Sequence, residues 1–358
     1  ALFKYFNFFA DLAAMIPGLP APKLDLALPL GISFFTFHHV MYLTDLRRGQ
    51  APRYDLVRYG LYIAFFPQVL AGPLVRWREI MHQFEERPYR RPDAAERFGR
   101  GLLLLTAGLA KKVLIGDPLA EYANPVFAAA AAGKVVSVVE AWQATLAFTF
   151  QIYFDFSGYT DMALGLALLL GIVLPQNFET PYRSTSIQDF WRRWHMTLSR
   201  FLRDYLYIPL GGNKHGKART YFNLMATMAL GGLWHGAAVS YLVWGFMHGL
   251  LLAIERRFVD RLDGAKSPLL NAARAFVVFF AVSLLWILFK LPDFAHAAAY
   301  FVGLFSSDEV PNPPKIYRSL ALAYALPVIL QHFIVPGRPK GSWARRLEPV
   351  FYGALVAL

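Results

Sequence analysis

Two histidines in this sequence lie where a histidine is costly and where a neutral imidazole could accept a proton. The first, His235, lies in a run, residues 221–254, that contains no lysine, arginine, aspartate or glutamate. At about 1.5 Å per residue this run makes a helix roughly 50 Å long, too long for one crossing of a hydrocarbon core about 30 Å thick. The sequence therefore predicts a break at Gly231 and Gly232, because glycine weakens a helix. His235 would then lie in the first turn of the second helix, where the helix dipole disfavours the imidazolium.

The second, His195, belongs to a predicted basic, amphipathic helix. This helix starts at Ser186, with Asp189 three residues later in the manner of a capping box. Two guanidinium groups about one turn either side of His195 would oppose its protonation and could hold an anion. Such a helix is expected at a membrane interface or along a polar cavity. Its apolar stripe is Trp191, Trp194, Leu198, Leu202 and Tyr205, and its polar stripe is Arg192, His195, Ser199 and Arg203.

Two further pairs of polar residues are candidates for binding substrate or lining a channel. Gln151 and Asp155 share one face of a predicted helical segment, residues 141–174, at four-residue spacing. Polar residues inside a membrane segment are functional candidates by default, although a structural hydrogen bond between helices explains these two equally well. Asn213 and Lys214 follow a pair of glycines, where they could shape a donor entrance or form a plain loop.

Composition indicates an all-α, polytopic membrane protein. Of the 358 residues, 56% are hydrophobic and only 17% are charged, whereas a soluble domain carries about 25% charged residues. The lengths of the apolar segments predict roughly eight to ten transmembrane and re-entrant helices around a central channel. The formal charge of +12 comes from basic residues between apolar runs, as in cytoplasmic loops, so nucleic acid is not expected as a partner.

Cysteine is absent from the sequence, which excludes disulfides, a cysteine nucleophile and thiolate metal sites. The histidine spacing of a zincin is missing as well, so we predict no metal site.

Several helices are expected to be short or interrupted. Residues 59–75 are broken by proline and glycine and predict a re-entrant element. Lys111 and Lys112 predict a half-length helix over residues 101–115, and Gly158 predicts a bend within residues 141–174. Further apolar segments are expected at residues 276–291, 294–305 and 320–335, with a basic loop at 336–346.

Four blocks of sequence resemble the membrane-bound O-acyltransferase family, most closely its bacterial branch that O-acetylates exopolysaccharides such as alginate. The blocks are residues 151–159, 176–182, 190–213 and 232–236, the last being Gly232-Leu233-Trp234-His235-Gly236. The resemblance extends from about residue 4 to residue 286. It implies a single membrane-embedded domain over residues 1–358. It also implies further helices before Ala1, so we expect the chain to be truncated at both ends.

The resemblance implies that His235 is the essential residue and that His195 is the second important histidine. Transfer of an acyl group to a sugar hydroxyl needs a base and a dry channel, and Trp234 would line that channel. His195 would hold the acyl carbonyl or the donor, or share proton transfer. Each histidine also has a plainer explanation: a hydrogen bond between helices for His235, and an interfacial position beside arginines for His195.

The implied substrates and partners follow the same resemblance. No cofactor is expected to stay bound. The donor would be a thioester, acetyl-CoA or an acyl-carrier phosphopantetheine, and the acceptor a polysaccharide reached through periplasmic acetyltransferase partner proteins. The location would be the bacterial inner (cytoplasmic) membrane. Two alternatives remain: D-alanyl transfer to teichoic acid, and a polysaccharide or lipid transporter.

Overall fold

The computed structural model describes residues 2–14, 16, 22–24, 31–69, 72–86, 90–134, 136–262 and 267–305. Within these ranges every regular element is a helix, which confirms the predicted all-α class. The α-helices are α1 (Leu2–Ala14), α2 (Ile32–Arg47), α3 (Leu56–Ala64), α4 (Phe66–Val69), α5 (Trp77–Glu85), α6 (Ala94–Ala110), α7 (Asp117–Ala131), α8 (Val138–Leu169), α9 (Ile187–Arg193), α10 (Met196–Leu202), α11 (Gly216–His235), α12 (Val239–Leu262), α13 (Pro268–Lys290) and α14 (Phe294–Gly303). Two π-helical segments, Lys111–Gly116 and Arg203–Tyr207, and a 3-10 turn, Pro181–Arg183, complete the set.

Helix α8 is one continuous helix of 32 residues. It begins with a capping box, in which Ser137 Oγ accepts from the Glu140 amide and the Glu140 carboxylate accepts from the Ser137 amide, both at 3.2 Å. The bend predicted at Gly158 does not interrupt this helix. A Cβ on Gly158 would lie 2.8 Å from the carbonyl oxygen of Gly108, so this glycine allows α6 to pack closely against α8.

The half-length helix predicted over residues 101–115 is wrong. Helix α6 runs without a gap through the π-helix Lys111–Gly116 into α7, which ends at Ala131. The two lysines do not end the helix because each has a carboxylate partner on α8. Lys111 Nζ lies 2.5 Å from Asp161, and Lys112 Nζ lies 2.9 Å from Asp155.

The uncharged run around His235 folds as a hairpin of two helices, as expected, but the break lies at residues 236–238 and not at the glycine pair. Gly231 and Gly232 are inside α11. A Cβ on Gly232 would lie only 2.1 Å from the carbonyl oxygen of Tyr241 on α12. The glycine is therefore required for contact between the two helices, and its weak helix propensity is offset by that packing.

The single amphipathic helix expected around His195 is broken in two. Helix α9 begins as predicted, with Ser186 Oγ accepting from the Asp189 amide at 3.0 Å, but it ends at Arg193. His195 has a left-handed backbone with φ 42° and ψ 53°, and α10 starts immediately after it. The segment before α9 supplies a hydrogen-bond partner for the backbone at this break: the Asn177 carbonyl accepts from the Met196 amide at 2.9 Å.

Among the described residues of 59–75, the helices α3 and α4 are short and separated at Phe65, and residues 73–75 form no regular element, in agreement with an interrupted segment. The segments predicted near residues 276–291 and 294–305 correspond to α13 and α14. The predicted segment 320–335 and the basic loop 336–346 lie outside the described residues.

Among the described helices, α13 alone is both long and apolar enough to cross a membrane by itself. Phe276 and Val277 on this helix are 67% and 64% exposed. An outward apolar face of this kind is suited to lipid. The count of eight to ten helices and the central channel stay predictions. An apolar cavity of about 380 Å³ is lined by Leu61, Ala64, Phe65, Phe66, Phe84, Leu170 and Ile172.

Candidate active site

His195 is held by a buried hydrogen-bond network at the break between α9 and α10. Its side chain is 1% exposed, and Nδ1 lies 3.1 Å from Oδ1 of Asn177. The same Oδ1 accepts from the amide of Thr197 at 3.2 Å and from its hydroxyl at 2.9 Å. The Thr197 hydroxyl in turn accepts from the Leu74 amide at 2.9 Å. The left-handed backbone at His195 costs roughly 1–3 kcal/mol, and such strain is common at functional sites.

His235 is the last residue of α11, not the first-turn residue that the sequence predicted. The sequence predicted that the helix dipole would disfavour the imidazolium. At the carboxyl end of a helix the dipole instead favours a cation, so that prediction is wrong. The ring lies edge-on to Phe289 at 5.0 Å and to Trp244 at 5.4 Å between ring centroids. An aromatic wall from α12 and α13 therefore surrounds this histidine.

Trp234 brings the two histidines into one site. Its ring centroid is 6.4 Å from that of His195 and 4.7 Å from that of His235. It also stacks on Phe37 of α2 at 4.9 Å. Both imidazoles thus contact the same indole ring.

Trp191 and Trp194 build the wall beneath the site. The indole N–H of Trp191 donates to Nδ1 of His248 at 3.3 Å. Trp194 is 3% exposed and lies 5.0 Å from the ring of Trp286 and 5.1 Å from that of Phe178. A closed aromatic shell of this kind keeps water away, which an acyl-transfer site needs.

The two arginines predicted to flank His195 do not do so. The break at His195 removes the helical stripe, and the side chains of Arg192 and Arg203 are both exposed while His195 is buried. Arg203 lies in the short π-helix and donates to Asp204 at 2.6 Å. Burial alone raises the pKa of the Asp204 carboxyl, but hydrogen bonds from Arg203 and Arg76 outweigh it and hold the pKa below its usual value.

Asp155 and Gln151 form a polar cluster between α8 and the π-helix. Gln151 Nε2 donates to Asp155 at 3.2 Å, and Lys112 donates to the other carboxylate oxygen at 2.9 Å. Lys112 also binds Asp117. Both oxygens of Asp155 thus already have protein partners, which favours the structural explanation that the sequence left open.

Asn213 and Lys214 lie on an exposed turn, where Asn213 accepts a hydrogen bond from the hydroxyl of Tyr207. The described residues contain no cluster of three or more side chains that could hold a metal ion.

Sequence reasoning missed Asn177, Phe156 and Phe289 as parts of the site. Asn177 lies 18 residues before His195, outside any helical period, and only the break in the chain brings the two together. Phe156 of α8 lies edge-on to His195 at 4.7 Å. Phe289 comes from a distant helix. The signal available was the position of Asn177 in the block 176–182, one of the four blocks that resemble the family.

Comparison with known proteins identifies the class to which this fold and site belong. The model of the MBOAT, membrane-bound O-acyltransferase family, matches residues 5–292. The chain belongs to that family and is a membrane protein.

Three relatives show the range of activities named within the family. A probable alginate O-acetylase of Pseudomonas aeruginosa is 41% identical over 309 residues, covering 85% of this chain and 57% of the relative. A peptidoglycan O-acetyltransferase of Helicobacter pylori is 36% identical over 327 residues, covering 84% and 61%. A teichoic acid D-alanyltransferase of Bacillus subtilis is 31% identical over 251 residues, covering 66% and 61%. The chain thus spans less than two thirds of the length of these relatives.

Proposed function

We propose that the complete protein is a multi-pass O-acyltransferase of the bacterial inner membrane. It takes an acetyl group from a cytoplasmic thioester and moves it across the membrane for O-acetylation of an exopolysaccharide such as alginate. The observation that carries this proposal is that His195, which is buried, and His235, which is partly buried, both contact the ring of Trp234 among aromatic side chains. The names of the alginate and peptidoglycan relatives support acetyl as the acyl group.

The chemistry is a direct transfer with an imidazole as the base. The hydroxyl oxygen of the acceptor attacks the thioester carbonyl carbon, a C–O bond forms, and the C–S bond breaks. The hydroxyl proton passes to the imidazole and from there to the departing thiolate, which leaves as a thiol. These 358 residues contain no cysteine, so none of them can form a thioester intermediate.

His235 is assigned the role of base, and His195 that of its partner in proton transfer. Phe289 and Trp244 around His235 exclude water that would otherwise hydrolyse the thioester. Arg192, Arg203 and Lys214 are exposed cations suited to the phosphates of the donor, acetyl-CoA or a phosphopantetheine carrier. The acceptor polysaccharide would be reached through periplasmic acetyltransferase partner proteins.

D-alanyl transfer to teichoic acid is the second candidate, supported by the Bacillus subtilis relative at 31% identity. The identity to the O-acetylases is higher, which favours acetyl. A transporter is the third candidate from the sequence, and membership of an acyltransferase family argues against it.

The donor can be tested directly with inverted membrane vesicles that contain the complete protein. Radiolabelled acetyl-CoA and a D-alanyl-charged carrier protein are supplied separately, and the label transferred to polymer or to a partner protein is counted. We expect transfer from acetyl-CoA alone. Transfer from the D-alanyl carrier alone would replace our proposal with the second candidate, and polymer export without any acyl transfer would support the transporter.

A further inference from the structure

The hydrogen bonds around Asn177 determine which nitrogen of His195 carries the proton. The Thr197 amide can only donate, and it points at Oδ1 of Asn177 at 3.2 Å. The atom at that position must therefore be the amide oxygen, since the NH₂ group of asparagine cannot accept. An oxygen accepts from His195 Nδ1 at 3.1 Å. The neutral imidazole must then carry its proton on Nδ1.

The Thr197 hydroxyl fits the same assignment. It accepts from the Leu74 amide at 2.9 Å, so its own proton is available for Asn177 Oδ1, also at 2.9 Å. Three donors thus converge on one oxygen. All three side chains are buried: Asn177 is 0% exposed, His195 1% and Thr197 2%.

The opposite nitrogen of His195 is left as an acceptor inside the site. Nε2 is buried and has no hydrogen-bond partner among the described residues. A lone pair that is desolvated and unpaired in this way is costly unless a ligand or substrate uses it. The ring sits between Phe156 at 4.7 Å and Trp234 at 6.4 Å, on the side of the molecule where His235 lies.

We propose that Asn177 is a positioning residue that holds His195 as the Nδ1–H tautomer, so that Nε2 is the atom that accepts a proton or a hydrogen bond from the substrate. The role of Nε2 toward the substrate rests on the proposed function, but the tautomer itself can be measured without any acyl transfer. The left-handed backbone at His195 lies at this break, where Nδ1 meets the segment before α9.

The first test is spectroscopic and uses the complete wild-type protein in lipid with ¹⁵N-labelled histidine. Solid-state NMR distinguishes the two neutral tautomers by the shifts of the two ring nitrogens, and His195 is assigned from the spectrum of His195→Gln. We expect the Nδ1–H form. A signal for the Nε2–H form overturns the proposal, whether or not the protein transfers acetyl groups.

The second test compares variants of Asn177. Asn177→Leu removes the acceptor, and we expect kcat to fall by about ten- to a hundredfold, the size of effect seen when a hydrogen-bond partner that orients a histidine is lost. KM for acetyl-CoA should change little. Asn177→Asp keeps an acceptor oxygen and should retain transfer. Its carboxylate also favours the imidazolium, so the acidic limb of the pH profile should move to higher pH. His235 is the titratable neighbour that acts on this ring.

A matched control separates positioning from simple loss of a buried amide. Asn223 is also 0% exposed and donates to the Gly212 carbonyl at 3.1 Å. Asn223→Leu should lower stability but leave the pH profile in place. The proposal is overturned if Asn177→Leu and Asn177→Asp lose kcat equally and the pH profile does not move. It is also overturned if Asn177→Leu keeps the wild-type kcat. If the wild type transfers no acetyl group, the proposed function fails and the NMR result still decides the tautomer.

Discussion

Lys112 donates a hydrogen bond to Asp155 at 2.9 Å, joining the π-helix after α6 to the middle of α8. The side chains are 23% and 24% exposed. Removing one partner of such a partly buried pair costs stability, because the remaining charge has little solvent to replace the lost partner.

We therefore expect Lys112→Met and Asp155→Asn, each of which removes one charge, to lower the free energy of unfolding by unequal amounts. Lys112→Met leaves the Asp155 carboxylate with Gln151 alone, and we expect it to cost about 1–3 kcal/mol. Asp155→Asn should cost less, because Lys112 keeps Asp117 as a partner. The double variant should be more stable than the sum of the two costs predicts. Denaturant unfolding of the detergent-solubilised protein measures all four species.

An exposed ion pair provides the control for this double-mutant cycle. Lys23 and Asp11 lie 3.2 Å apart with side chains 69% and 57% exposed, and their coupling should be about 0–1 kcal/mol. Additive costs for Lys112 and Asp155 would contradict the pairing. Loss of acetyl transfer in the double variant, with unchanged unfolding, would instead restore Asp155 as a substrate contact.

Gly232 is expected to tolerate no side chain. A Cβ there would lie 2.1 Å from the Tyr241 carbonyl oxygen and 3.1 Å from Gly245. Gly232→Ala should cost about 1–3 kcal/mol through overpacking of α11 against α12. Gly99→Ala in α6 is the control, since no atom lies within 4 Å of that site, and it should stabilise by up to about 1 kcal/mol through helix propensity. If the melting temperatures of Gly232→Ala and Gly99→Ala both rise or both fall relative to the wild type, this account of the packing is contradicted.

Arg192 is expected to contribute to donor binding rather than to proton transfer. Its side chain is exposed, whereas the neighbouring Arg193 donates to both oxygens of Asp189 at 2.9 Å. Arg192→Ala should raise KM for acetyl-CoA by about tenfold, equivalent to about 1.4 kcal/mol, with kcat unchanged. The effect should shrink at high ionic strength.

Arg193→Ala serves as the matched control. It removes the same charge one residue away but breaks the ion pair with Asp189, so it should lower stability and leave KM near the wild-type value. An Arg192→Ala variant with unchanged KM at low salt would remove Arg192 from the donor site.

The sequence predicted the all-α class correctly, and the structure places the rings of both histidines against Trp234, but the sequence did not predict the geometry around them. The apolar run at His235 was too long for one membrane crossing, which indicated a break. Its position depended on Tyr241, whose carbonyl lies against Gly232 in the folded hairpin. Helical periodicity likewise placed Arg192 beside His195, which is wrong because the helix ends at Arg193 and His195 has a left-handed backbone. At that break His195 contacts Asn177, 18 residues earlier in the chain. Local patterns do not contain such tertiary constraints.

The most direct test of the account is the acetyl content of polymer made by cells that carry the complete protein with His235→Ala. His248→Gln is the matched control: His248 is buried on α12 and accepts from Trp191, and glutamine keeps an acceptor there. We predict that His235→Ala reduces acetylation per chain by at least about a hundredfold while polymer export continues, and that His248→Gln changes neither. Normal acetylation in His235→Ala, or lost export with normal acetylation per chain, would contradict the assignment of His235 as the base.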